Sequence, residues 1–125
     1  MPSYTNGKIC YVEVPSSDVA RSAAFYSAVF GWKMRTRHDG STAFDDGVGE
    51  VSGAFVKNRQ PNTAPPGMLV YVMMDDVAAT IESVKRHGGK LIQPIGADAP
   101  EITARVLDPD GNLWGLYQQP SRPAN

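Results

Sequence analysis

The sequence predicts an α+β fold made of two tandem βαβββ modules, and three observations carry that expectation. First, the chain repeats itself. Displacing it by 58 residues lays Val12, Val14, Asp18, Val19, Ala20 and Gly31 on Val70, Val72, Asp76, Val77, Ala78 and Gly89, as expected of a unit written twice. Second, apolar residues alternate before each shared Asp and switch to a helical period after it. Third, Asp39-Gly40 and Asp108-Pro109-Asp110-Gly111 place turn chemistry between alternating segments. A weaker match, with a four-residue difference in loop length, sets Val51, Gly53 and Phe55 against Leu113, Gly115 and Tyr117.

Each element follows from its residues. Residues 8–14 alternate and are rich in β-branched side chains, so they read as a strand. Asp18 is an N-cap for a helix over 19–30 that carries Val19, Ala23, Tyr26 and Phe30 on one stripe, and Gly31 ends it. Residues 32–38 and 41–45 form a hairpin around Asp39-Gly40, and residues 50–56 complete the first module, 8–56. Residues 57–67 are polar, carry three prolines and lack periodicity, which marks a connector. The second module, 68–119, repeats the plan: a strand at 68–74, a helix at 77–87 ending at Gly88-Gly89, then strands at 90–95, 102–107 and 112–118. A short tail follows from Pro120. The expectation is a single domain over 1–125 made of these two modules.

Composition narrows the function classes. The chain has 125 residues, 12 basic and 13 acidic side chains, a net charge of -1 and one cysteine. Near-neutral charge without a basic block argues against a nucleic-acid partner. A lone cysteine excludes an internal disulfide and suits a reducing compartment. Residues 1–15 lack the apolar stretch of a leader, and no run approaches the roughly 18 apolar residues of a membrane span. The expectation is a cytoplasmic protein without membrane or nucleic-acid partners.

A twofold β-α-β-β-β pattern with Phe25-Tyr26 and Phe30-Gly31-Trp32 at the end of the first helix, Asp75-Asp76-Val77 opening the second, and Asp108-Pro109-Asp110-Gly111-Asn112 before the last strand resembles the vicinal oxygen chelate superfamily. That superfamily includes glyoxalase I, extradiol dioxygenases, fosfomycin-resistance enzymes and bleomycin-binding proteins. The segment Tyr11-Val12-Glu13-Val14-Pro15, with Asp18 and Phe25-Tyr26, is most similar to a glyoxalase-like subgroup. The resemblance implies a curved mixed sheet around a cleft, a small-molecule ligand and a homodimer. It also implies four metal-ligand positions, one on the first and one on the last strand of each module. These map to Tyr11, Leu69 and Gly115, with Gly53 as the repeat twin of Gly115. A divalent metal needs three or four imidazole or carboxylate donors at about 2.0–2.2 Å. Leucine and two glycines supply none, so no metal cofactor is expected at the mapped positions.

Strand parity names the residues expected to line the cleft. Tyr11, Glu13, Leu69, Tyr71, Met73, Val51, Gly53, Phe55, Leu113, Gly115 and Tyr117 are expected inward, and Val12, Val14, Val70, Val72, Trp114 and Leu116 toward the helices. The expected ligand-binding set is Tyr11, Glu13, Trp32, Phe55, Leu69, Tyr71, Met73 and Tyr117. Glu13 is the one carboxylate placed there and the candidate acid/base residue; the competing reading is a solvated or ion-paired strand-end Glu. Gly53 and Gly115 leave room for a planar or apolar ligand, unless Tyr11, Trp32, Phe55 and Tyr117 fill it as packed core.

The remaining candidates read as structure. His87 caps the second helix, and His38 is a surface hairpin residue that could reach the cleft rim. Asp45, Asp46 and Glu50 are turn residues around Gly47 and Gly49, within reach of a ligand. Asp108, Asp110 and Asn112 read as a turn rather than a calcium loop. Cys10 has the parity of the helix-covered side and is expected buried. Two function classes stay open: a metal-free module that binds a partly apolar or aromatic molecule, and a glyoxalase-like lyase, isomerase or dioxygenase using Glu13 or an unrecognised metal site.

Overall fold

A computed structural model describes residues 3–6, 8–63 and 69–119. Two compact units divide the chain, Met1–Pro61 and Asn62–Asn125. Residues 64–68, which hold the end of the proline-rich connector and the start of the expected fifth strand, lie outside the described residues, as does the tail from residue 120.

The first unit contains β1 (Tyr11–Pro15), α1 (Val19–Phe30), β2 (Lys33–Thr36), β3 (Thr42–Asp45) and β4 (Ser52–Val56). The sheet order is β1-β4-β3-β2, with β1 and β4 parallel and the other pairs antiparallel. Asp18 caps α1 as its side chain predicts, accepting the Arg21 N–H at 3.1 Å. Gly31 ends the helix at φ 72°, in the left-handed region that glycine occupies without strain. The core between α1 and the sheet is aromatic. Trp32 stacks on Tyr26 and on Phe44, with ring centroids 4.9 and 4.8 Å apart, and Phe55 closes the cluster 5.2 Å from Phe44 and 5.7 Å from Tyr26.

The second unit contains β5 (Tyr71–Met73), α2 (Val77–Arg86), β6 (Lys90–Gln93), β7 (Ile102–Leu107) and β8 (Leu113–Gln118), in the sheet order β5-β8-β7-β6. Asp76 repeats the cap of Asp18, with φ/ψ of -147°/96° against -144°/97°. Its core is mostly aliphatic: Val77, Ile81 and Val84 from α2, with Ala104, Val106, Trp114 and Leu116 from the sheet. Gln118 accepts the Val77 N–H at 2.9 Å and ties β8 to the helix start. His87 caps α2 as expected, its Nδ1 2.7 Å from the Ser83 carbonyl, and Gly88 follows at φ 90°.

Register corrects one face of the first sheet. The parallel pairing sets Val12 against Gly53 and Val14 against Phe55, while Tyr11 and Glu13 pair with Ser52 and Ala54. Gly53 and Phe55 therefore share the helix-covered face with Val12 and Val14, opposite Tyr11 and Glu13. In the second unit Tyr71 pairs with Gly115. Glu13 is the 58-residue twin of Tyr71, so the twin of Gly115 is Ala54. The repeat offset on the last strand is 61 residues, not the 62 that sets Gly53 against Gly115, and a one-residue slip turns every side chain to the other face. Cys10 is a second correction. It is exposed, because α1 cover fades along the strand from buried Val14 through half-buried Val12.

Candidate functional site

The chemistry of each unit lies on the sheet face opposite its helix, and the registers define that face row by row. In the first unit one row runs Glu13, Ala54, Ala43, Arg35 across β1-β4-β3-β2, and a neighbouring row runs Tyr11, Ser52, Asp45, Lys33. These rows are charged, and both of their carboxylates are paired. Arg35 holds Asp45 through Nε at 2.9 Å, and the Ser52 hydroxyl donates to the same carboxylate at 2.7 Å. Both bonds hold the Asp45 carboxyl below its ordinary range, and the pairing raises the Arg35 guanidinium. Arg59 binds Glu13 at 2.7 Å. Arg37 donates to the Tyr11 hydroxyl and lies 5.6 Å from its ring centroid. A shallow concavity of about 490 Å³ beside β2 is lined by Arg35, Thr36, Arg37, His38 and Asp39. His38 is thus a surface residue of this rim.

In the second unit the corresponding row runs Tyr71, Gly115, Arg105, Gln93 across β5-β8-β7-β6. Met73, Tyr117 and Thr103 form the next row. Tyr71 and Met73 are exposed and Tyr117 is half-buried, its hydroxyl donating to Gln119 at 3.0 Å. Leu69 precedes β5 and is half-buried. The Arg105 Nε is buried without a hydrogen-bond partner. Sequence reasoning missed Arg105. Its signal was a lone charged residue at the parity of Thr103 and Leu107 inside the apolar run Ile102–Leu107.

The residues singled out from sequence separate accordingly. Tyr11 and Glu13 lie on the helix-free face of the first sheet, and Tyr71, Met73 and Tyr117 on that of the second. Trp32 and Phe55 do not join them: both are core residues between α1 and the sheet. The two glycines leave no room for a ligand either. A Cβ on Gly53 would stand 2.3 Å from Phe44 Cζ, and one on Gly115 would stand 2.5 Å from Tyr71 Cδ1. Each glycine seats an aromatic ring from the neighbouring strand.

The acidic loops are turns. Asp46 accepts the N–H groups of Glu50 and Val51, and Glu50 is held by the Ser3 N–H and Lys8, which lower its carboxyl. Asp108 accepts the N–H groups of Asp110 and Asn112 and the Asn112 amide, which commits its lone pairs to the turn.

The family model described as Glyoxalase/Bleomycin resistance protein/Dioxygenase superfamily matches residues 8–116. The chain belongs to this superfamily. A glyoxylase-like domain-containing protein of Didymella fabae is 28% identical over 94% of this chain and 98% of its own length. CFP32 of Mycobacterium tuberculosis is 30% identical over 92% of this chain, which spans only 47% of that relative. Among solved structures, a superfamily enzyme of Burkholderia phytofirmans PsJN superposes with a TM-score of 0.71 at 20% identity, covering 90% of this chain and 98% of that one. TnmS3, an antibiotic binding protein of Streptomyces sp. CB03234, superposes with a TM-score of 0.65 at 25% identity over 93% of this chain and 98% of its own.

Superfamily membership makes the four metal-ligand positions testable against the donors present. With the register corrected they are Tyr11 and Ala54 in the first unit and Leu69 and Gly115 in the second. They offer one phenol, already bonded to Arg37, and no imidazole or carboxylate. This set does not fit a divalent metal. Among the described residues no three His, Cys, Asp or Glu side chains cluster at ligating distance, and no helix is long and apolar enough to cross a membrane.

Proposed function

We propose that this glyoxalase-like chain works without the four-donor metal centre of its metal-using relatives and holds a small, partly apolar or aromatic molecule. The observation that carries the reading is the donor set at the mapped positions: a tyrosine, an alanine, a leucine and a glycine. The surface that supports it is the helix-free face of the second sheet, where Tyr71 and Tyr117 present rings with polar tips beside the apolar Met73. Such amphipathic rings suit recognition of flat organic molecules. The antibiotic binding protein TnmS3 is a precedent for a binding role on this fold. Glu13 fits an ion-pair role better than an acid/base one, since its carboxylate is exposed and engaged by Arg59. Elemental analysis of protein purified without chelator tests the reading. Zinc, nickel, manganese and iron are expected well below one equivalent, and a stoichiometric amount of any of them overturns it.

A further inference from the structure

The row Tyr71, Gly115, Arg105 contains two donors that no described residue uses. The Arg105 Nε is buried and unpartnered, and no described residue bonds or pairs with the rest of its guanidinium or with the Tyr71 hydroxyl. This sets Arg105 apart from Arg35, Arg37 and Arg59 on the first unit, each of which holds a side-chain partner. Gly115 stands between the two donors and carries the Tyr71 ring against its backbone. With strands about 4.8 Å apart, Arg105 and Tyr71 are two strand spacings from one another. The Tyr71 ring is seated on the glycine, so the two long side chains can close on a group of a few atoms at the outer side of that ring, beyond the glycine itself.

The chemistry of that group follows from the donors. A guanidinium presents a planar fork of N–H groups whose natural complement is a carboxylate, and a phenol supplies one more O–H to an oxygen. A single cation balances a single negative charge. A dianionic phosphate is disfavoured by Asp98, which Thr103 holds at 2.6 Å and Gln93 at 3.4 Å near the same row without an ion pair to Arg105. The apolar neighbours Met73 and Tyr117 suit the body of the molecule rather than its charge.

We infer that Arg105 and Tyr71 form a carboxylate subsite on the second sheet, and that the ligand class is an aromatic monocarboxylate. This rests on the aromatic-ligand reading above and sharpens it.

Calorimetric titration of the whole chain with benzoate and with its neutral counterpart benzamide tests it. Benzoate is expected to bind about tenfold or more tighter than benzamide. Arg105→Gln is expected to bring the two affinities together, with its circular dichroism spectrum and denaturant melt as the control for folding. Tyr71→Phe is expected to lower benzoate affinity by a smaller factor, because one donor is lost and the ring kept. Equal affinity of the two probes for the wild-type chain, or a benzoate preference that survives Arg105→Gln, overturns the subsite and leaves the aromatic-ligand reading standing. Failure of both probes to bind overturns that reading and the subsite with it.

Discussion

The two units share one plan and weight their aromatic rings differently: the first packs most of them between helix and sheet and leaves Tyr11 on the helix-free face, while the second keeps only Trp114 in its core. In the first, Tyr26, Trp32, Phe44 and Phe55 stack between helix and sheet, and the other face is closed by ion pairs. In the second, the space between helix and sheet is mostly aliphatic, while Tyr71 and Tyr117 stand on the helix-free face beside Arg105, whose Nε is buried without a partner among the described residues. Rings buried against a helix contribute packing, and rings facing outward are available for recognition. On the proposed reading, the first unit is scaffold and the second carries the ligand.

Substitutions can break or sharpen this contrast. The largest effect is expected for Trp32→Ala, which removes a ring stacked on both faces and should cost about 3–5 kcal/mol. Tyr71→Ala, an exposed ring of the second unit, should cost under about 1 kcal/mol. Denaturant melts of the two variants measure the difference, and comparable losses would erase the division of labour. Next come the glycines. Gly53→Ala puts a Cβ 2.2 Å from the Val12 carbonyl oxygen, a backbone atom that cannot step aside, so a loss of about 1–3 kcal/mol or more is expected. Gly115→Ala meets only the half-exposed Tyr71 ring, which can swing away, and the same melts should register well under that loss.

The smallest effect concerns the closed face of the first unit. Because Arg35 and Ser52 lower the folded-state Asp45 carboxyl, its stabilising contribution is present above the unfolded value of about 4 and fades as pH falls through the lower folded value. Stability measured from pH 7 downward should therefore drop less for Asp45→Asn than for wild type below about pH 4, with the two curves converging in acid. Parallel curves would mean that the pair adds nothing.

Much of the fold was legible because its signals are local. Asp18, Gly31, Asp76 and the Gly88-Gly89 pair mark helix ends through their own side-chain and backbone chemistry, and the helix over 19–30 matches Val19–Phe30. The strands appear at their expected places, with β1 beginning at Tyr11 rather than at residue 8. The site was less legible because facing depends on register, which pairing across strands sets. The repeat offset shrinks by one residue on the last strand, and that alone turned Phe55 and Gly53 from expected lining into core. Arg105 escaped notice for a related reason: its meaning comes from Gly115 and Tyr71 beside it in the sheet, not from its neighbours in sequence.

The glycine seats have a spectroscopic consequence. A proton held against the face of an aromatic ring feels that ring's magnetic field, so the α-protons of Gly53 under Phe44 and of Gly115 under Tyr71 should resonate away from those of other glycines. The first ring is locked in a stacked core and gives a fixed marker of folding. The second is free to tilt when the face beside it is occupied. One pair of resonances thus turns the second unit into its own label-free reporter, with the first unit as its internal reference.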